Sequence, residues 1–358
     1  MLHGVSSFAQ VVYGQPAAAG TGFTYTHFKT TVAGVETTIS QFMMPLSGFV
    51  PVQDNFDVGF YVANSSNTLD VIGSEMKLNG LGDARFQANH SFANDKLIVG
   101  LGVNLPTGKH KLDLLEEEVV LQALSLNFLE FPMRRFGEGF GFNLLFGGAT
   151  TLGENARGGA GISYQFIGKY KPYIDYGDYN PGDALAFNVG GDIQSGPMTW
   201  RADAIYTLYT TDKLDGEKVF RQSPQLDMML SGVHAAKATS VNGYLRYVLR
   251  GDNKTYDTTG AELTAYKLYG NEFSVGAGLM QKFAAGWSVM PNASVKLISE
   301  ANAGLGSSHV FDFGSDIGKE FSENFVATAG FKIYTGSADS GNIDISGYQL
   351  TLGLTASM

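Results

Sequence analysis

The sequence has no cysteine and few charged residues, and both absences narrow the function. Without cysteine the chain forms no disulfides, thiolate metal sites or cysteine nucleophiles. Charged residues make up 16% of the chain, against about 25% in an average soluble domain, so an ordinary soluble enzyme is disfavoured. With 24 Lys and Arg against 34 Asp and Glu, the net charge of −10 repels phosphates and excludes nucleic acid as a partner.

Long hydrophobic runs are also missing. No segment approaches the roughly 20 consecutive apolar residues of a transmembrane helix, and the mean hydropathy is −0.02. A transmembrane β-barrel has a near-neutral mean for a different reason, because its strands alternate lipid-facing apolar residues with polar or small residues facing the lumen. The spacing of apolar residues is therefore more informative than their average.

Apolar residues recur at every second position along most of the chain. Side chains of a strand point alternately to opposite faces, so this spacing is typical of strands with one apolar face. The clearest segments are 56–63, 83–89, 97–105, 140–147, 161–166, 185–192, 200–208, 273–279, 325–333 and 348–356. Their second face is rich in glycine and poor in charge, whereas a soluble β-sandwich, the alternative, usually exposes a charged face. The pattern therefore predicts an all-β membrane protein.

The connections between these segments differ in length. Short polar turns occur at 53–55, 93–95, 153–156, 194–197, 234–237, 284–286 and 322–324, and longer segments lie at 65–79, 107–135, 171–182, 211–217, 251–270, 301–306 and 336–342. Bacterial outer-membrane barrels combine short periplasmic turns with longer outer loops. The chain is therefore expected in the bacterial outer membrane.

The turn count predicts the number of strands. Seven short turns with both termini on one side give 16 strands, and 14 is the alternative because the pair at 22–32 and 36–50 has the weakest alternation. An open sheet edge would leave backbone groups unpaired in hydrocarbon. We therefore expect a closed, antiparallel up-and-down β-barrel that spans residues 20–358 as one domain. Residues 1–19 are expected to be an export-signal remnant or an N-terminal tail, since Ser7-Phe8-Ala9 has the small-x-small form of a signal-peptidase site.

Two motifs resemble those of a known family. Gly80-Leu81-Gly82-Asp83 opens one strand, and the following strand ends in Val103-Asn104-Leu105-Pro106-Thr107-Gly108. This hairpin, together with residues 131–141 (FPMRRFGEGFG), is similar to the phenol-degradation MetA-pathway family of outer-membrane proteins, which is related to the FadL and toluene-channel barrels. The motif-level likeness covers about residues 39–148. It implies passage of small, often hydrophobic, molecules across the outer membrane.

Polar residues on the non-apolar face are the candidate site. In a barrel this face lines the lumen, where charges must pair or stay hydrated. They can brace the barrel interior or form a constriction that sets selectivity. The candidate lumen residues are Asp57, Asp83, Arg85, Asn89, Asp192, Arg201, Asp203, Arg246, Lys296 and Lys332.

The segment 107–135 alone shows helical spacing. Asp113 and Glu116 have the D-x-x-E spacing of a capped helix start, and apolar residues then recur every three or four positions. We expect a partly helical outer loop that either covers the rim or folds into the mouth. In the second case Leu121, Leu124, Phe128 and Phe131 would make the first contact with an incoming ligand.

Catalytic and metal-binding patterns are not found. The sequence contains no G-x-S-x-G motif, and residues 314–320 (GSDIGKE) are one residue short of a P-loop. The six histidines form no i, i+4 pair. Tyrosines and aspartates crowd residues 170–183, where an interfacial aromatic girdle is a simpler interpretation than a sugar or calcium site. We expect no enzymatic activity, no metal and no cofactor.

The sequence thus predicts a channel for passive uptake of small hydrophobic or aromatic solutes, with outer-membrane lipid as its surroundings. One alternative is a structural anchor or assembly partner for other envelope proteins, with its lumen blocked by side chains. A second is a general hydrophilic porin, with the segment 107–135 as an inward-folded loop.

Overall fold

The computed structural model describes residues 16–358, apart from residues 303 and 305. The part of the predicted export-signal segment that precedes residue 16 lies outside the described residues. The strands are β1 (Ala18–Val32), β2 (Val35–Gln53), β3 (Phe56–Val71), β4 (Ser74–Leu81), β5 (Ala84–Phe92), β6 (Leu97–Leu105), β7 (Gly141–Thr151), β8 (Ala156–Ile167), β9 (Tyr179–Asn180), β10 (Ala184–Ser195), β11 (Met198–Tyr209), β12 (Asp212–Leu214), β13 (Glu217–Arg221), β14 (Gln225–Ala236), β15 (Thr239–Arg250), β16 (Asn253–Tyr256), β17 (Glu262–Tyr266), β18 (Glu272–Lys282), β19 (Trp287–Ile298), β20 (Ser308–Ser322), β21 (Phe325–Ala338) and β22 (Ile343–Ser357).

Helical structure is limited to short pieces in the described part of the chain. Helix α1 spans Glu117–Leu124, and 3₁₀ turns span Ala284–Gly286 and Asp339–Gly341. None of these helices is long and apolar enough to cross a membrane.

The main sheet closes into an antiparallel barrel. Strand β1 pairs with β2 on one side and with the last strand, β22, on the other, so the sheet closes, and of its described strands β4 alone pairs on one side only, with β3. This sheet has 17 strands, but β4 and β5 pair in succession with the same strand, β3. Together they make one pass of the chain along the barrel wall, interrupted at Gly82 and Asp83, and we call each such pass a stave. The barrel therefore has 16 staves, which confirms the larger of the two predicted counts.

All seven predicted short turns are present, each two to four residues long, on the side that holds both termini. The opposite side carries the longer loops, of which residues 106–140 form the longest. We call residues 106–140 the inward loop. The predicted arrangement of short periplasmic turns and longer outer loops is confirmed.

One predicted loop is wrong. Residues 65–79 belong to the long hairpin of β3 and β4, which turns at Ile72 and Gly73. Its outward side carries the ion pair Lys77–Glu75, so this hairpin lacks the apolar outward face that was used to identify strands. Ion pairs of this kind belong in water, and the hairpin tip therefore lies beyond the hydrocarbon.

A second sheet forms from the outer loops. The strands β17, β16, β13, β12 and β9 pair in that order and are antiparallel. They come from the loops that follow β8, β11 and β15, so this outer sheet stands at the half of the outer rim formed by those strands. The N-terminal hairpins stand at the other half of the same rim.

The outward face of the barrel is apolar and exposed. Phe86, Leu101 and Leu352 are 45%, 47% and 47% exposed, although a layered soluble fold would bury them. Similar exposed residues occur around the whole barrel, including Phe146, Phe187, Trp200, Leu245, Leu279, Phe313, Ile333 and Leu350. A continuous apolar belt on a closed barrel is stable only in lipid. The protein is a bacterial outer-membrane β-barrel.

We predict that a charge placed on this belt destabilises the barrel. Leu101→Arg should lower the free energy of unfolding in lipid vesicles by about 2–4 kcal/mol, since the guanidinium enters hydrocarbon. The measurement is urea unfolding followed by tryptophan fluorescence. Leu115→Arg is the control, because Leu115 is 82% exposed in the inward loop, outside the strands. Equal stability of the two variants would contradict a lipid-facing position for Leu101.

Candidate functional site

The lumen holds the predicted polar residues. Nine of them lie in barrel strands on the face opposite the apolar belt, and Asp83 lies at the break between β4 and β5. The strand residues are Asp57, Arg85, Asn89, Asp192, Arg201, Asp203, Arg246, Lys296 and Lys332. The alternation thus determined their direction, but not their partners.

Asp83 fastens both ends of the inward loop. Its carboxylate accepts hydrogen bonds from the backbone N–H of Gly108 at 2.8 Å and of Glu138 at 2.7 Å, and from Asn104 Nδ2 at 2.9 Å. A Cβ atom on Gly108 would lie 2.7 Å from the Asp83 carboxylate, so this approach requires glycine. The two halves of the Gly-Leu-Gly-Asp and Pro-Thr-Gly pattern therefore meet in one contact. Hydrogen bonds to a charged acceptor contribute about 1.5–3 kcal/mol each.

Helix α1 is shorter than the helical spacing suggested. Asp113 Oδ1 accepts hydrogen bonds from the N–H groups of Leu115 and Glu116, in the turn before the helix. In return, Glu117 Oε2 accepts a hydrogen bond from the Asp113 N–H at 3.1 Å. The glutamate that pairs with Asp113 is therefore Glu117 and not the predicted Glu116. The rest of the inward loop is irregular chain.

The inward loop packs against one wall of the lumen. Its buried residues Leu124, Phe128 and Phe131 are 0%, 1% and 3% exposed. The wall residues of the same cluster come from β1–β4 and β19–β22, and they are Phe28, Ile39, Met43, Ala63, Leu69, Leu78, Ile298, Val310, Tyr334, Ala338 and Ile345. The rings of Phe28 and Phe131 meet edge to face at 5.2 Å.

This packing covers the residues that were predicted to make the first contact with a ligand. Leu124, Phe128 and Phe131 offer no free surface in this conformation, and Leu121 is partly buried against the same cluster. The inward position of the loop agrees with one of the two arrangements considered for it. Its apolar side faces the wall of the barrel.

Polar contacts hold the loop at two further points. Buried Gln41 on β2 donates to the carbonyl of Met133 at 2.7 Å and accepts from the Met133 N–H at 2.9 Å. Lys296 on β19 forms an ion pair with Glu130 of the loop. The sequence analysis missed Gln41 and Glu130. Each reaches its partner, Met133 and Lys296 respectively, only in the folded chain, across more than 90 residues.

The opposite wall carries charges that are paired along and between strands. Within β11, Arg201 Nε lies 2.6 Å from Asp203 Oδ2. Two further pairs on this wall join Arg246 to Asp227 at 2.5 Å and Arg250 to Glu272 at 3.0 Å. Lys332 and Asp312 pair at 3.2 Å on β21 and β20, which belong to the wall that the loop covers. Asp227, Glu272 and Asp312 were missed, although the same alternation places them on the inward face. Such pairs avoid the cost of isolated charges in an enclosed interior.

Part of the lumen remains open to solvent. Tyr61, Met229 and Val233 face the interior and are nevertheless 39%, 36% and 42% exposed. The Arg135 side chain of the inward loop is 69% exposed beside its ion-pair partner Glu138. Exposed side chains inside a closed barrel border open space. Met229 and Val233 lie on β14, on the wall opposite the apolar contacts of the loop, whereas Tyr61 lies on β3, on the periplasmic side of the cluster residues Ala63 and Leu69.

The outer tyrosines belong to the loops and not to a lipid-facing girdle. Tyr170 and Tyr179 pair through their backbones, and the Tyr179 hydroxyl donates to Asp212 in the outer sheet. Burial raises the pKa of both tyrosines well above the usual value, and the Asp212 carboxylate raises that of Tyr179 further. Within the described residues, no group of three or more His, Asp or Glu side chains could hold a metal ion.

Comparison with known proteins gives likeness in architecture only. No family model matches the chain, and no curated protein matches it significantly. The resemblance to the phenol MetA-pathway family is therefore not confirmed.

Solved structures with a similar fold are outer-membrane barrels. A CymD monoaromatic hydrocarbon channel has a TM-score of 0.47 and 14% identity over 96% of this chain and 89% of its own. A FadL homologue from Pseudomonas aeruginosa has a TM-score of 0.48 and 10% identity over 96% and 90%. An anion-selective porin from Comamonas acidovorans has a TM-score of 0.44 and 12% identity over 95% and 98%. These values do not distinguish one solute class from another.

We predict that Asp83→Asn loosens the inward loop. The amide keeps one acceptor oxygen but turns its NH₂ group toward backbone donors, so at least one charge-assisted bond worth about 1.5–3 kcal/mol is lost. Hydrogen exchange should speed up at the amides of Gly108 and Glu138, and added protease should cleave the loop faster.

The control for this prediction is Asp57→Asn. Asp57 is equally a buried lumen carboxylate, at 5% exposure, but it accepts from the Asn89 side chain and not from the inward loop. Its substitution should leave exchange in the loop unchanged. Equal exchange rates in both variants would show that Asp83 does not anchor the loop.

Proposed function

We propose that the protein is a channel for passive uptake of small hydrophobic or aromatic solutes across the outer membrane. The observation that carries the proposal is the position of the inward loop. It narrows the outer half of the lumen from one side, while Met229 on the opposite wall and Tyr61 on the periplasmic side of the loop stay solvent-accessible. A passage that is narrowed but not filled suits selective diffusion.

The fixed loop gives this passage a defined shape. Asp83 holds the loop at both ends, Gln41 holds it at Met133, and Lys296 holds it at Glu130. The apolar cluster adds packing along the loop between these points. A loop held in this way keeps its distance from the opposite wall, and that distance limits the size of a passing solute.

The lining favours solutes with an apolar or aromatic body. Tyr61, Met229 and Val233 expose apolar surface to the lumen, and Tyr209 and Tyr244 also face inward. Small ligands are usually held by apolar and aromatic side chains with a few polar groups for orientation. The paired charges of the wall present little net field of one sign, which disfavours attraction of small inorganic ions.

A blocked barrel that anchors other envelope proteins is the second candidate. The extent of the apolar contact supports it, since the loop buries Leu124, Phe128 and Phe131 completely against the wall. In that case, removing the loop would open a barrel that otherwise conducts nothing.

Single-channel recording in planar bilayers distinguishes these functions. Residues 112–134 can be replaced by a short Gly-Ser linker, because the Gly137 N–H lies 2.7 Å from the Lys109 carbonyl and the loop ends already meet. We expect the unmodified protein to conduct and the shortened variant to conduct severalfold more, since the narrowing element is gone.

The matched control shortens a hairpin that lies outside the lumen. Residues 257–260 connect β16 and β17 in the outer sheet, and their removal should leave the conductance unchanged. An unmodified protein that conducts no ion or solute, together with a conducting shortened variant, would contradict open passage and favour the anchor. Equal conductance of unmodified and shortened proteins would remove the loop from the mechanism.

A further inference from the structure

Arg85 is a lumen cation without a partner. Among the described residues, the strand cations Arg201, Arg246, Arg250, Lys296 and Lys332 each lie within ion-pair distance of a carboxylate. Arg85 has no ion pair or hydrogen bond with any residue that the structure describes, and it is exposed to the lumen. Arg157 is also unpaired, but Asp192 lies directly opposite it on the neighbouring strand.

Two carboxylates on the same inward face as Arg85 have other partners. Asp83, two residues away on the same side of the stave, already accepts hydrogen bonds from Gly108, Glu138 and Asn104. Asp57, on the neighbouring strand, accepts from Asn89 at 2.8 Å. The guanidinium therefore keeps its five donors free toward the lumen.

An exposed aromatic ring lies beside Arg85. Tyr61 is its direct partner in the register of β3 and β5, and directly opposed residues have Cβ atoms about 4.5–5.5 Å apart. Tyr61 is 39% exposed although it faces the interior. One free guanidinium and one accessible ring thus share a short stretch of the lumen wall.

This pair lies directly below the anchored end of the inward loop. Arg85 follows Asp83 on the stave, and the Arg135 carbonyl of the loop lies 4.0 Å from the position of a Cβ on Gly82. Arg85 and Tyr61 therefore line the lumen on the periplasmic side of the loop's anchor at Asp83, where a solute that has passed the loop can reach them.

We propose that Arg85 and Tyr61 form a binding site for a small aromatic carboxylate in the channel. This inference rests on the proposed channel function and specifies its solute. The planar guanidinium matches a carboxylate through two parallel hydrogen bonds, while the Tyr61 ring contacts the aromatic body of the solute.

The surrounding charge favours a singly charged anion. The chain carries a net charge of −10, and the lumen carboxylates Asp57, Asp83 and Asp192, which have no ion pair within the described residues, repel multiply charged anions. One unpaired guanidinium balances one carboxylate. Phosphate monoesters, with nearly two charges at neutral pH, fit this site less well.

Interruption of the single-channel current tests the site. Benzoate and benzyl alcohol, a neutral aromatic of similar size, are added to the bilayer chamber, and the concentration that half-occupies the channel is measured for each. Half-occupancy of the unmodified protein should need at least about tenfold less benzoate than benzyl alcohol. A charge-assisted contact is worth about 1.5–3 kcal/mol, and a tenfold difference in concentration corresponds to about 1.4 kcal/mol. Arg85→Gln should abolish this preference.

Arg157→Gln is the matched control. It removes a second unpaired lumen arginine, which lies near the periplasmic end of β8, so the preference for benzoate should persist. A preference that survives Arg85→Gln, or that disappears equally in Arg157→Gln, overturns the proposal. Conductance without any preference for benzoate overturns this site alone, whereas absence of conductance overturns the proposed channel itself. The β-sheet signal of Arg85→Gln in circular dichroism should match that of the unmodified protein, which checks that the barrel tolerates change at this position.

Discussion

Backbone hydrogen bonding in a medium without water is the constraint on which the rest of the structure depends. Each N–H and C=O in the hydrocarbon needs a partner within the protein, and pairing of β1 with β22 supplies the last row. Closure then gives every strand one face in lipid and one in the lumen. The exposed belt of Phe86, Leu101 and Leu352 and the inward polar residues are two consequences of the same pairing.

The closed barrel also creates an interior that the protein must fill or hydrate. On the side of β1–β4 and β19–β22, the inward loop fills it with an apolar cluster. On the other side, ion pairs such as Arg246–Asp227 and Arg250–Glu272 satisfy the wall charges, and Asn127 of the inward loop also donates to Glu272 at 3.5 Å. Along one wall the loop thus packs the lumen with apolar side chains, whereas Met229 and Val233 on β14 remain solvent-accessible.

Residue alternation predicted the strands in contact with lipid because their environment changes sharply from one face to the other. It failed for residues 65–79, where Lys77 and Glu75 face water on the outward side and no apolar face is needed. It also placed Arg201 and Arg246 in the lumen, but gave no partners, since register and side-chain geometry determine which carboxylate each one reaches. The contact of Gln41 with Met133 joins distant segments and leaves no local signal in the sequence. Asp83 was recognised as a lumen residue, whereas its bonds to both loop ends depend on the folded chain.

Labelling of single cysteines tests most directly whether a continuous aqueous path passes the inward loop, and the absence of native cysteine makes this measurement clean. Met229→Cys lies on the open wall, Phe128→Cys lies within the apolar contact of the loop, and Leu101→Cys faces lipid. A charged, membrane-impermeant thiol reagent added from the outer side should modify the cysteine at 229 rapidly and those at 128 and 101 slowly. Equally slow modification at 229 and 128 would show that the loop seals the lumen, and it would contradict passage along the open wall.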